Sequence, residues 1–112
     1  GVTAMHDATE GGVLGAIWEL AHASGCGAAV RKSAIPVLSI TKKACEALRL
    51  DPLRMISSGV LLIATERGEM LCATLNAAGI PAAIIGKAME RDVTLDGAPA
   101  QPPEGDELLK LL

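Results

Sequence analysis

One uninterrupted apolar run, Val60-Leu61-Leu62-Ile63-Ala64, constrains this chain more than any other segment. It follows Ser57-Ser58-Gly59 and stops at Thr65-Glu66-Arg67. The run is too short for a buried helix and lacks the alternation of a strand with one wet face. It predicts a strand covered on both sides. Covering both faces requires layers, and three segments of helical period can supply them. From Val13 to Ser24, the residues Val13, Leu14, Ile17, Leu20, Ala21 and Ser24 share one face, with Glu19 and His22 opposite and Gly25 as the stop. A second helix, capped by Ser39 or Thr41, carries Ile40, Ala44, Ala47 and Leu48 at helical spacing. A third, near 67–78, turns Leu71, Leu75 and Ala78 inward. Gly79 suits its left-handed cap, Ile80 can pack back, and Pro81 prevents continuation. Further strands are expected at 26–32, 81–86 and 93–95, with a short extended segment at 1–6. Residues 97–105, with three prolines, read as a loop, and 106–112 as a terminal helix. The alternation predicts an α/β (α+β) fold, a layered sandwich of a mixed central sheet with helices.

Composition narrows the function. A chain of 112 residues fits one domain, 1–112, and half its residues are hydrophobic against 21% charged, which excludes a disordered chain. The net charge of −3 and a single aromatic, Trp18, argue against nucleic-acid binding, which wants a basic face and stacking rings. No apolar run approaches the roughly 20 residues of a membrane span, and no signal peptide is visible. Cys26, Cys45 and Cys72 are widely spaced without a CxxC pair, which suits reduced thiols and a cytoplasmic protein. The chain opens on Gly1 rather than Met, which suggests a piece of something longer.

The chemistry concentrates in Met5-His6-Asp7-Ala8-Thr9-Glu10-Gly11-Gly12-Val13-Leu14-Gly15. Asp7 or Thr9 can cap the first helix, with Glu10 as a capping-box partner of Asp7. Capping leaves Gly11, Gly12 and Gly15 unexplained, although each glycine inside a helix costs about 0.8–1 kcal/mol relative to alanine. Two explanations compete. Another backbone packs closely on that face, or a ligand approaches the amides of the helix start, where phosphate is the natural anion. Asp7 could then hold the magnesium that accompanies nucleotide phosphates. The spacing is not that of a Walker A loop.

Other candidates read more plainly. His6 is either a polar cap or a general acid/base beside Asp7. His22 and Cys26 lie four apart, but Gly25 ends the helix between them and no zinc site is expected. Cys45 and Cys72 read as core thiols, and Met55, Met70 and Met89 as core fillers. Trp18 sits at the edge of the apolar stripe, partly buried or facing a partner.

The string Ala4-Met5-His6-Asp7-Ala8-Thr9-Glu10-Gly11-Gly12-Val13-Leu14-Gly15 resembles the D-x-T-x-G-G signature in the C-terminal domain of the aminoimidazole ribonucleotide (AIR) synthetase superfamily, in particular its AIR-synthase-related and HypE-like hydrogenase-maturation members. Ala16-Ile17-Trp18-Glu19-Leu20-Ala21, Ala23-Ser24-Gly25, Ile35-Pro36-Val37, Asp51-Pro52-Leu53, Ser57-Ser58-Gly59-Val60-Leu61-Leu62 and Ile84-Ile85-Gly86 continue the likeness in order. The resemblance implies a two-domain, ATP-dependent enzyme that phosphorylates its substrate or activates an amide or carbamoyl oxygen. It implies that ATP and Mg2+ lie mainly on an N-terminal domain absent from this chain, which also forms a homodimer. By similarity, Asp7 would hold metal, and Thr9, Gly11, Gly12, Ser57, Ser58 and Gly59 would line the phosphate cleft. Two departures stand out. Hydrogenase-maturation factors end in a cysteine that carries the carbamoyl group, whereas this chain ends Leu111-Leu112, and Glu10 replaces a basic residue. The chain alone is therefore not expected to turn over. The alternative from another class is a small regulatory or assembly module that binds a metabolite or partner subunit without catalysis.

Overall fold

The computed structural model describes residues 2–56, 59–102, 105–107 and 110. Strand β1 (Val2–Asp7) leads through a glycine turn into helix α1 (Gly12–Ala23), then β2 (Gly27–Val30) and helix α2 (Ser39–Leu48). A 3-10 turn (Pro52–Arg54) precedes β3 (Leu61–Thr65), followed by helix α3 (Gly68–Ala77), β4 (Gly86–Met89), β5 (Val93–Leu95) and β6 (Ala98–Pro99). The expected α/β architecture with a mixed sheet is present. Four strands run in the order β4-β2-β5-β6, with β2 parallel to β5 and antiparallel to β4. A second, two-stranded ribbon pairs β1 with β3 antiparallel, Asp7 opposite Leu61 and His6 opposite Leu62.

The core forms where α1 meets both sheets. Leu14, Ile17, Val30, Ile35, Leu53 and Leu95 are buried together, and Val13, Leu62, Ile85 and Val93 pack around them. The inward stripe expected for α1 is thus largely realised at Leu14, Ile17 and Ala21. The end of α3 also follows expectation. Gly79 has φ +82, its N–H donates to Asn76 O, and the Ile80 N–H donates to Leu75 O. This pair of bonds is the Schellman arrangement that satisfies the last carbonyls of a helix.

Several expectations require correction. β3 is not covered on both faces among the described residues: none of Leu61–Thr65 is fully buried, and Leu61 is 50% exposed. The stripe of α2 is open, with Ile40 75% exposed and only Cys45 buried in the helix. No side chain caps α2; Leu38 stands at its N-cap. Met70 and Met89 are exposed rather than core fillers, and Cys72 is half-buried. The strand expected at 81–86 begins only at Gly86, since the Asn76 side chain bonds both the N–H and the C=O of Ala82 and leaves no ladder to form there. The terminal helix expected at 106–112 falls mostly outside the described residues. No described helix is long and apolar enough to cross a membrane.

Candidate functional site

The antiparallel register of the ribbon sets the site. Because Asp7 faces Leu61, the end of β1 and the start of β3 lie together, and the Ala8 N–H closes the junction on Val60 O at 3.0 Å. Ala8 is 1% exposed, so the chain is clamped there, while Asp7 and Thr9 on either side remain exposed. Gly59, at φ +74, turns the chain into this same end. Asp7, Thr9, Gly11, Gly12 and Gly59 are therefore brought to one place. Ser57 and Ser58 lie outside the described residues.

The helix start is built differently from the capping scheme expected. Neither Asp7 nor Thr9 caps α1, and Glu10 makes no capping box. Gly11 itself is the N-cap, in a left-handed conformation at φ +80 that places its amide outside the helix ladder. The Gly11 N–H donates instead to Asp106 Oδ2 at 2.9 Å, a carboxylate 95 residues further along the chain. The next amide, of Gly12, donates to Thr9 O at 3.1 Å. The backbone-packing explanation accounts for Gly12. A Cβ at that position would lie 2.5 Å from the carbonyl oxygens of both Leu53 and Met55, too close for any side chain. Gly12 also has φ +67, which a residue with a side chain adopts only under strain.

The Asp7 carboxylate makes no hydrogen bond or ion pair among the described residues. His6 is engaged. Its Nε2 lies 3.1 Å from Glu19 Oε2 on α1, and because a carboxylate only accepts, this nitrogen carries the proton. In the neutral ring, Nδ1 is then the free lone pair.

Sequence reasoning missed the carboxylates that close the site from the far end of the chain. Beside Asp106, the buried Glu107 accepts from the Asp51 N–H and pairs with Lys110 at 2.7 Å. The Lys110 hydrogen bond, then that of the Asp51 amide, holds the Glu107 carboxyl below its ordinary pKa, against the opposing effect of burial. The only sequence signal was the acidic pair Asp106-Glu107 after a proline-rich loop, which says nothing of its partners. Among the described residues, no group of three or more His, Cys, Asp or Glu side chains is arranged to hold a metal.

Residues 1–96 match the model of the AIR synthase related protein, C-terminal domain. The chain belongs to the AIR synthase related family. Within this family it is similar to the carbamoyl dehydratase HypE of Escherichia coli, with 42% identity over 95 residues, covering 81% of this chain but 28% of that protein. Its fold matches the crystal structure of E. coli HypE, a hydrogenase maturation protein, at a TM-score of 0.84 and 38% identity over 100% of this chain and 39% of the other. A structure of the hydrogenase maturation protein HypE in complex with ATP also matches, at a TM-score of 0.74 and 25% identity, over 92% of this chain and 37% of that one. The AIR synthase related domain described here thus spans well under half of these relatives.

Proposed function

We propose that this domain forms one wall of the MgATP and substrate cleft of an ATP-dependent protein of hydrogenase maturation, where an oxygen of a carbamoyl or similar group is activated by phosphorylation. The observation that carries this reading is the Gly11 amide, pointed out of the helix ladder and already bonded to an anionic oxygen. A backbone N–H that holds a carboxylate at a helix start can equally hold a phosphate oxygen. The chemistry of the residues fits both groups. Gly11 and the exposed Thr9 hydroxyl would meet phosphate, and the Asp7 carboxylate, without a partner among the described residues, is the hard oxygen ligand that magnesium would take. When bound, the metal supplies neutralisation of phosphate charge.

The chain's own residues divide the remaining work. Gly59 and the Ala8–Val60 bond keep the turn fixed. His6, oriented by Glu19, is the group able to take or return a proton through Nδ1. Most contacts to ATP and Mg2+, and the homodimer, belong in this reading to an N-terminal domain. The similarity to HypE, and the relative crystallised with ATP, support the assignment.

The test is ATP turnover by the complete polypeptide that carries this domain. Asp7→Asn should lower turnover about a hundredfold, as removal of one transition-state charge contact does, while far-UV circular dichroism stays unchanged. Turnover within twofold of the parent would sink the assignment.

A further inference from the structure

A cavity of about 540 Å³ lies away from the glycine turn, between the outer face of α1 and the β5–β6 hairpin. That volume is within the range of small-ligand sites. Its α1 wall carries Trp18 and His22, whose rings stack with centroids 4.5 Å apart and planes 12° from parallel. Trp18 is the only aromatic residue of the Phe, Tyr and Trp class in 112, and the fold leaves it half-buried on this wall instead of in the core. The facing wall carries Asp92, Val93 and Thr94.

Asp92 is the unusual member. Among the described residues, three other than glycine adopt positive φ: Arg49, Asp92 and Asp96. Arg49 ends α2, and the Asp96 carboxylate bonds the Lys32 N–H, so both have local structural work. Asp92, at φ +62, has no side-chain hydrogen bond or ion pair among the described residues. Its backbone is nevertheless held tightly. The Asp92 carbonyl accepts from the Ala28 N–H at 3.0 Å, and Gly27 is packed so closely that a Cβ there would lie 2.1 Å from the same oxygen. Asp tolerates this left-handed turn conformation, and the tight backbone packing fixes where the exposed carboxylate sits, at the cavity wall, where a cationic ligand can use its charge.

We propose that this cavity binds a guanidinium group, stacked on the Trp18–His22 surface and paired with the Asp92 carboxylate. The guanidinium is planar, keeps its charge, stacks on aromatic faces and meets a carboxylate through two parallel N–H donors. An ammonium offers neither the plane nor the fork. Two sources carry the group, an arginine side chain of a partner polypeptide and a free guanidino compound.

Trp18 is the one Trp of this chain, which has no Tyr, so the emission of the chain of 112 residues reports Trp18 directly. Titration with N-acetyl-glycyl-arginyl-glycine amide should change that emission saturably in the millimolar range. The lysine analogue should bind at least tenfold more weakly and the citrulline analogue not measurably. Asp92→Asn should weaken the arginine peptide at least tenfold. Asp92→Gly, which suits positive φ and removes the carboxylate without backbone strain, should do the same. Trp18→Leu, read through the amide resonances of Val93 and Thr94, should weaken it comparably. Tighter binding of the peptide than of methylguanidinium supports a polypeptide source, and equal binding supports a free guanidino compound. No saturable change, an equal response to the lysine or citrulline peptide, or undiminished binding by both Asp92 variants would overturn the proposal.

Discussion

Gly12 and Gly79 both have positive φ, yet they should answer differently to the same substitution. At Gly79 nothing lies within 4 Å of the place a Cβ would take, so Gly79→Ala meets only the left-handed penalty, about 1–2 kcal/mol. At Gly12 the new carbon meets the Leu53 and Met55 carbonyls as well. Gly12→Ala should therefore destabilise by more than about 3 kcal/mol, adding overpacking to strain. Thermal melts of the two variants check this, and equal losses would contradict the close approach. The position of Gly12 was legible in the sequence as a glycine in a costly place. Its reason was not, because the backbone that excludes a side chain comes from Leu53–Met55, some forty residues away. His6 shows the same limit. Its partner Glu19 reads as a solvated helix residue until β1 is laid beside α1.

At the scale of elements, periodicity found the three helices, and the chemistry of Gly79-Ile80-Pro81 marked where the third ends. It could not say which apolar stripe the fold would cover. The stripe of α2 satisfies the spacing of an inward face, yet Ile40 and Leu48 line an open groove of about 270 Å³ with Cys45 and Met55 at its floor. Ile40→Lys should consequently change stability by less than about 0.5 kcal/mol, as for other surface positions. Cys45→Asp, which buries a charge where a thiol contacts Met55 Sδ at 3.3 Å, should cost several times more. Denaturant midpoints separate the two. β3 illustrates the complementary failure. Five apolar residues in a row do predict a strand, but the cover they need is not encoded in the run itself. An expected strand at 81–86 was lost to one side chain, Asn76, which no periodic pattern registers.

Across the whole molecule, the layered α/β class was legible from alternation, and the ends of the chain were not. Residues 106 and 107 tie the far end to the glycine turn and to Asp51, and the Glu107 contact is pH-sensitive. The Glu107 carboxyl has its folded pKa below the ordinary value near 4.5, so it adds stability above that value and loses it as pH falls through the lowered folded value. Glu107→Gln should melt below the parent at pH 7, and the difference should close as both are acidified past the parent's carboxyl titration. A gap independent of pH would assign the effect to packing instead.

The bond between Gly11 and Asp106 also orders events during synthesis. Its two ends are separated by 95 residues, and β1 finds its only described partner strand beyond residue 60. As the ribosome releases the chain, α1 can form early from local contacts, but β1 must wait unpaired until β3 emerges. The outward amide of Gly11 waits longer still. The glycine turn is thus among the later parts of this chain to be finished, because the carboxylate that holds it is released 95 residues after it.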